Sequence, residues 1–98
     1  TLALMKGGAI LVNAGRGALI DEEAVYDALA SGKLGAAGLD VFTQEPVNED
    51  NPLLTLDNVV LSPHLGWLTT ETLDRSVKVA VKNSLAIRDD TSLVFRVE

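Results

Sequence analysis

Residues 9–41 read AILVNAGRGALIDEEAVYDALASGKLGAAGLDV, and this stretch decides the fold. Ala9 to Asn13 is a short, continuous apolar run. Such a run fits a strand covered on both faces, as in a parallel sheet, better than an alternating surface strand. Ala14-Gly15-Arg16-Gly17 follows as a loop whose two glycines free the backbone for positive φ or for close approach to a ligand. Asp21 then offers a helix N-cap, and Glu22 and Glu23 suit the positive end of the helix dipole. Ala24, Val25, Ala28 and Leu29 repeat at helical spacing until Gly32, which serves as a C-cap. Leu34 to Val41 is again apolar and rich in small residues. It reads as a second buried strand, with Gly35 and Gly38 letting a neighbouring helix pack closely.

Outward from this stretch the cadence continues. Thr1 to Met5 reads as the tail of a helix stopped by Gly7-Gly8, so the chain is expected to be entered in mid-domain. Residues 43–58 hold Pro46, Pro52 and several acids and read as a loop. Asn58 to Ser62 resumes as a third strand, stopped by Pro63. A helix is expected from Thr69, with Leu73, Val77, Ala80, Val81, Ser84, Leu85 and Ile87 as its apolar stripe, ending at Asp89-Asp90. Leu93 to Val97 then forms a last strand. Strand, helix, strand, strand, helix is the order of a doubly wound α/β fold with a parallel sheet.

Composition bounds the function. Ninety-eight residues make at most one modest domain. Hydrophobic residues reach 47%, charged residues 22% and aromatics only 4%, which suits a compact α/β chain rich in aliphatics and not a disordered one. The net charge of −6 argues against a nucleic-acid surface. With no cysteine, neither a disulfide nor a thiolate metal site can form, which is compatible with a reducing compartment without proving one; a cytoplasmic location is expected. A single histidine argues further against zinc. No apolar run approaches the ~18 residues of a membrane-spanning helix, so no membrane partner is expected. The first residues do not read as a signal peptide. Neither a Gly-x-Ser-x-Gly elbow nor a phosphate loop ending in Gly-Lys-Ser/Thr is present.

In open parallel sheets, ligands bind beyond the carboxyl ends of the strands. Arg16, Glu45 and His64 each lie just after an expected strand, so the topology can bring them to one edge. Arg16 can grip a carboxylate with two parallel hydrogen bonds, or it can sit in a surface ion pair. His64 can exchange a proton near neutral pH, or it can be a packed residue. Glu45 is either a loop acid or, beside His64, a carboxylate that favours the imidazolium. Asp40 closes a strand, where it either caps the following turn or serves a site. Trp67 either lines a pocket or packs on the helix that begins at Thr69.

Three segments in order, Ala9 to Gly17, Leu39 to Pro46 and Leu61 to Gly66, resemble the D-isomer-specific 2-hydroxyacid dehydrogenases. The similarity runs from Met5 to about Asn83. It implies the second half of a doubly wound, Rossmann-like dinucleotide-binding domain, over residues 1–88, with residues 89–98 returning toward a substrate domain. On that resemblance the arginine matching Arg16 binds the substrate carboxylate and carbonyl oxygen. The histidine matching His64 is the general acid/base, and the glutamate matching Glu45 holds and tunes it. Asp40 lies beside the nicotinamide carboxamide, with Asn13, Ala14, Gly15, Arg16, His64 and Gly66 lining the same pocket. The implied cofactor is NAD or NADP, the substrate a small 2-keto or 2-hydroxy acid, and the complete protein a homodimer. The Gly-x-Gly-x-x-Gly fingerprint and the acid that selects the ribose hydroxyl are not in this chain. Two other outcomes are open at this point. One is a non-catalytic cofactor-binding or dimerising protein of the same family. The other is a truncated remnant whose open sheet would aggregate.

Overall fold

The computed structural model describes residues 1–95 and divides after Gly66 into two compact units. The first unit is built on three strands, β1 (Ala9–Asn13), β2 (Leu34–Leu39) and β3 (Val59–Leu61), all parallel and adjacent in sequence order. Helix α1 (Glu22–Ala30) connects β1 to β2. Asp21 caps it as expected, its Oδ1 accepting the Ala24 N–H at 3.2 Å. Gly32 ends it with φ of 74°, a left-handed position that glycine occupies without steric cost.

Register fixes where the loops emerge. Asn13 pairs with Leu39, and Leu39 with Leu61. The last residues of all three strands therefore stand in one row, and the three following loops leave from a single edge. The core lies on one side of the sheet. Leu34, Leu39 and Ala37 pack there against Val25, Ala28 and Leu29 of α1, and Leu53 joins them from the 3-10 turn Pro52–Thr55. Fully burying one leucine is worth about 2 kcal/mol, so these few residues supply much of the unit's stability.

Several expectations are corrected. Residues Thr1 to Met5 contain a 3-10 turn, Leu2–Leu4, with no buried residue, and not the end of an α-helix. The apolar run of β1 is covered on one face only, because Ile10 and Val12 keep 69% and 71% of their surface exposed. Gly35 makes room for a strand entry and not for a helix: a Cβ there would come within 2.7 Å of the Gly8 carbonyl oxygen. The second strand ends at Leu39 and not at Val41, since the Asp40 N–H bonds the Asn13 carbonyl while its own carbonyl turns to the His64 N–H.

In the second unit, α2 (Thr70–Arg88) starts on Thr69, whose Oγ1 accepts the Thr72 N–H at 3.1 Å. The expected apolar stripe is present, but Leu73, Val77, Val81 and Leu85 are exposed along it and only Ala86 is buried. Beyond Asp89 the chain turns back on α2, where the Asn83 side chain exchanges two hydrogen bonds with the Val94 backbone. Leu93, Val94 and Phe95 are consequently not a strand. Arg96 and Val97, the rest of the expected last strand, lie outside the described residues. No helix among the described residues is long and apolar enough to cross a membrane.

Candidate active site

The loop after β1 is organised by Asn13. This buried side chain accepts the Gly15 N–H at 3.1 Å and donates to the Arg16 carbonyl at 2.9 Å. Both halves of its amide are thus used on the loop itself. Ala14, Gly15 and Arg16 are left exposed at the edge of the sheet. The guanidinium of Arg16 bonds only its neighbour's carbonyl, Gly15, at 2.6 Å, and no carboxylate pairs with it among the described residues. Gly17 presses the loop against the next one: a Cβ there would fall within 2.0 Å of the Phe42 carbonyl carbon. Neither Gly15 nor Gly17 adopts positive φ, and the close approach that requires Gly17 is to the chain's own Phe42–Thr43 backbone.

The loop after β2 carries Asp40 and Glu45. Glu45 Oε1 accepts the Phe42 N–H at 3.0 Å, which turns its other oxygen toward the third loop. There Oε2 meets His64 Nδ1 at 2.7 Å. The imidazole hydrogen bond, helped by the Phe42 amide and the charge of Arg16, holds the Glu45 carboxyl below its ordinary range. The pair that the topology allowed is therefore formed, and Nε2 remains the free end of the ring.

Asp40 is buried, with 8% of its surface exposed. Its carboxylate accepts the Ser62 hydroxyl at 2.5 Å and the N–H groups of Leu65 and Gly66 at 2.8 and 2.7 Å. The Ser62 hydroxyl first, then the Leu65 amide, keep its pKa below the usual value. Two residues of this arrangement escaped the sequence reading. Ser62 looked like the end of a strand, and nothing in the sequence marked it out. Glu22 looked like a dipole acid. In the structure burial pushes its carboxyl up, but hydrogen bonds from Thr43 and from Asn51 at 3.0 Å outweigh burial and lower it, tying α1 to the Glu45 loop.

A cavity of about 630 Å³ opens beside the pair, with Glu45 and His64 on one wall and Phe42, Val47, Leu54 and Leu61 among its apolar lining. Trp67 is half exposed in the second unit. No cluster of three metal-binding side chains occurs among the described residues. What the first unit brings to one edge is an imidazole held by a charged acid, with a guanidinium that pairs with no carboxylate among the described residues.

Residues 1–66 match the family described as D-isomer specific 2-hydroxyacid dehydrogenase, NAD binding domain. The chain is 54% identical over 82 residues to the probable 2-ketogluconate reductase of Dictyostelium discoideum, covering 84% of this chain and 25% of that protein. Against glyoxylate/hydroxypyruvate reductase B of Cronobacter sakazakii it is 52% identical over 89 residues, covering 90% and 28%. The solved D-isomer specific 2-hydroxyacid dehydrogenase of Xanthobacter autotrophicus, in complex with NADPH and MES, superposes with a TM-score of 0.87 at 34% identity, covering 99% of this chain and 39% of that one. This chain spans about a quarter of the length of the curated relatives it matches.

Proposed function

This chain belongs to the D-isomer specific 2-hydroxyacid dehydrogenase family, and from that premise we propose that the complete protein is an NAD(P)-dependent reductase of small 2-keto acids. The observation that carries the proposal is the 2.7 Å contact between Glu45 and His64 on the edge where Arg16 stands uncommitted. The relatives' substrates point to glyoxylate, hydroxypyruvate and 2-ketogluconate as the class to test.

The residues present fit the nicotinamide end of such a cofactor. Ala14 and Gly15 are small and exposed, so the backbone after Asn13 is approachable. Asp40 Oδ2 carries a single hydrogen bond, from Gly66, and keeps an acceptor position for a carboxamide. Asn13, Ala14, Gly15, Arg16, Asp40, His64 and Gly66 would hold that end, and the bound nicotinamide supplies or takes the hydride. Arg16 binds the keto acid's carboxylate and draws charge from its carbonyl oxygen. His64 Nε2 delivers a proton to that oxygen in reduction and removes it in oxidation, while Glu45 on Nδ1 fixes the ring's orientation.

Residues 1–88 belong on this reading to the dinucleotide-binding domain, and 89–98 lead toward the substrate domain. The complete protein works as a cytoplasmic homodimer. The test is steady-state reduction of a keto-acid panel by the complete protein with NADH and with NADPH, repeated with Arg16→Lys. Turnover should fall at least ~10²-fold in kcat/KM in the variant, since an ammonium lacks the paired donors of guanidinium. Near-normal kinetics in the variant would remove Arg16 from the site, and no turnover of any keto acid by the wild type would overturn the proposal.

A further inference from the structure

His64 has φ of 56°, in the left-handed region that a residue with a side chain rarely occupies. Something must hold it there. Every backbone N–H from His64 to Gly66 donates to Asp40. The His64 N–H bonds its carbonyl at 2.8 Å and is shared with the Ser62 carbonyl at 3.0 Å, and the Leu65 and Gly66 N–H groups bond its carboxylate. Pro63 has no N–H to donate. The Ser62 N–H is used by the Leu39 carbonyl at 3.0 Å, and its hydroxyl completes the set on Asp40 Oδ1. Asp40 therefore gathers the whole turn that presents the histidine.

We infer that Ser62 and Asp40 form a positioning pair that fixes the left-handed turn at His64 and so aims its imidazole. Three of about four acceptor positions of the Asp40 carboxylate are filled by this turn, and the remaining one serves the carboxamide contact proposed above. Asp40 thus acts on the reaction mainly through His64, by geometry. Ser62 is the single side-chain donor in the set. Removing its hydroxyl leaves a buried carboxylate oxygen short of one charge-assisted bond, and the turn loses the tie nearest its start. Threonine at 62 would keep the hydroxyl, and Ser62 is only partly buried, so a methyl can be accommodated.

The catalytic consequence rests on the dehydrogenase reading, so the experiment reads turnover and the turn separately in the complete protein. For Ser62→Ala we expect kcat to fall about tenfold, with KM and the NAD(P)H dissociation constant within about twofold of wild type. Ser62→Thr should restore kcat to within about twofold. Amide hydrogen exchange across residues 62–66 should quicken in the alanine variant and return in the threonine variant. If the alanine variant does not fold, Ser62→Cys, close in size but a weak donor, takes its place with the same expectations. Unchanged kcat and unchanged exchange in the alanine or cysteine variant would overturn the pair, as would equal impairment in alanine and threonine. A wild-type protein that reduces no keto acid would instead overturn the dehydrogenase reading, and the exchange measurement alone would then decide the pair.

Discussion

His64 is held by two acids that do different work. Glu45 touches the ring, and Asp40 touches the backbone that carries it. The ring hydrogen bond is what chiefly lowers the Glu45 carboxyl, so a charged acid stands beside the imidazole near neutral pH. Glu45→Gln removes that charge. In the complete protein the alkaline limb of kcat/KM for keto-acid reduction should move to lower pH. A limb that stays in place would sink the coupling. At this scale the sequence was informative about chemistry and silent about support. Arg16, Glu45 and His64 could be picked out because arginine, an acid and the single histidine each follow a strand. Ser62 could not be, since a serine before proline at a strand end is ordinary, and its partner lies 22 residues away.

The elements bring these side chains together through register and close backbone contact. The row Asn13, Leu39, Leu61 sets the edge, and Gly17 sets how near the first loop lies to the second. Gly17→Ala would drive a methyl into the Phe42–Thr43 backbone, which cannot swing aside as a flexible side chain could. The complete protein should lose about 3 kcal/mol or more of stability, read from its denaturant midpoint at constant slope. A midpoint within experimental error of wild type would refute the packing argument. Strand and helix existence were legible because β1, α1 and β2 each carry a strong pattern bounded by Asp21 and Gly32. The β2 end was not legible, because Val41 is as apolar as Leu39 and only the turn of Asp40 toward Asn13 and His64 stops the ladder. Gly35 shows the same limit. Its smallness was visible, but whether a helix or the Gly8 backbone required it depended on three-dimensional packing.

On the scale of the whole molecule, acids outnumber bases and several of them work in their charged form. The Asp40, Glu45 and Glu22 carboxyls all lie below their ordinary values in the folded chain. A depressed carboxyl contributes stability in full above its unfolded value and loses it as pH falls through the folded one. The complete protein should therefore hold its denaturant midpoint near neutrality and lose it progressively below about pH 5. In Asp40→Asn the neutral-pH midpoint should drop and the acid decline should shallow. An equally steep decline in that variant would show that Asp40 does not contribute to it. The open sheet face, with Ile10, Val12 and Val60 exposed, departs from the reading of β1 as covered on both faces, since an apolar run reports that a strand can be covered and not that it is covered here, and it agrees with the expectation that half of a doubly wound sheet leaves apolar surface open.

On the proposed reading His64 moves the proton that accompanies hydride transfer. Single-turnover reduction of a keto acid by the complete protein carrying His64→Gln, with reduced cofactor already bound, isolates that step. A glutamine can occupy the space and hydrogen-bond, but it cannot deliver a proton. Cofactor binding should survive while the chemical step slows by about 10²–10⁴-fold. A chemical step within a few-fold of wild type would contradict it.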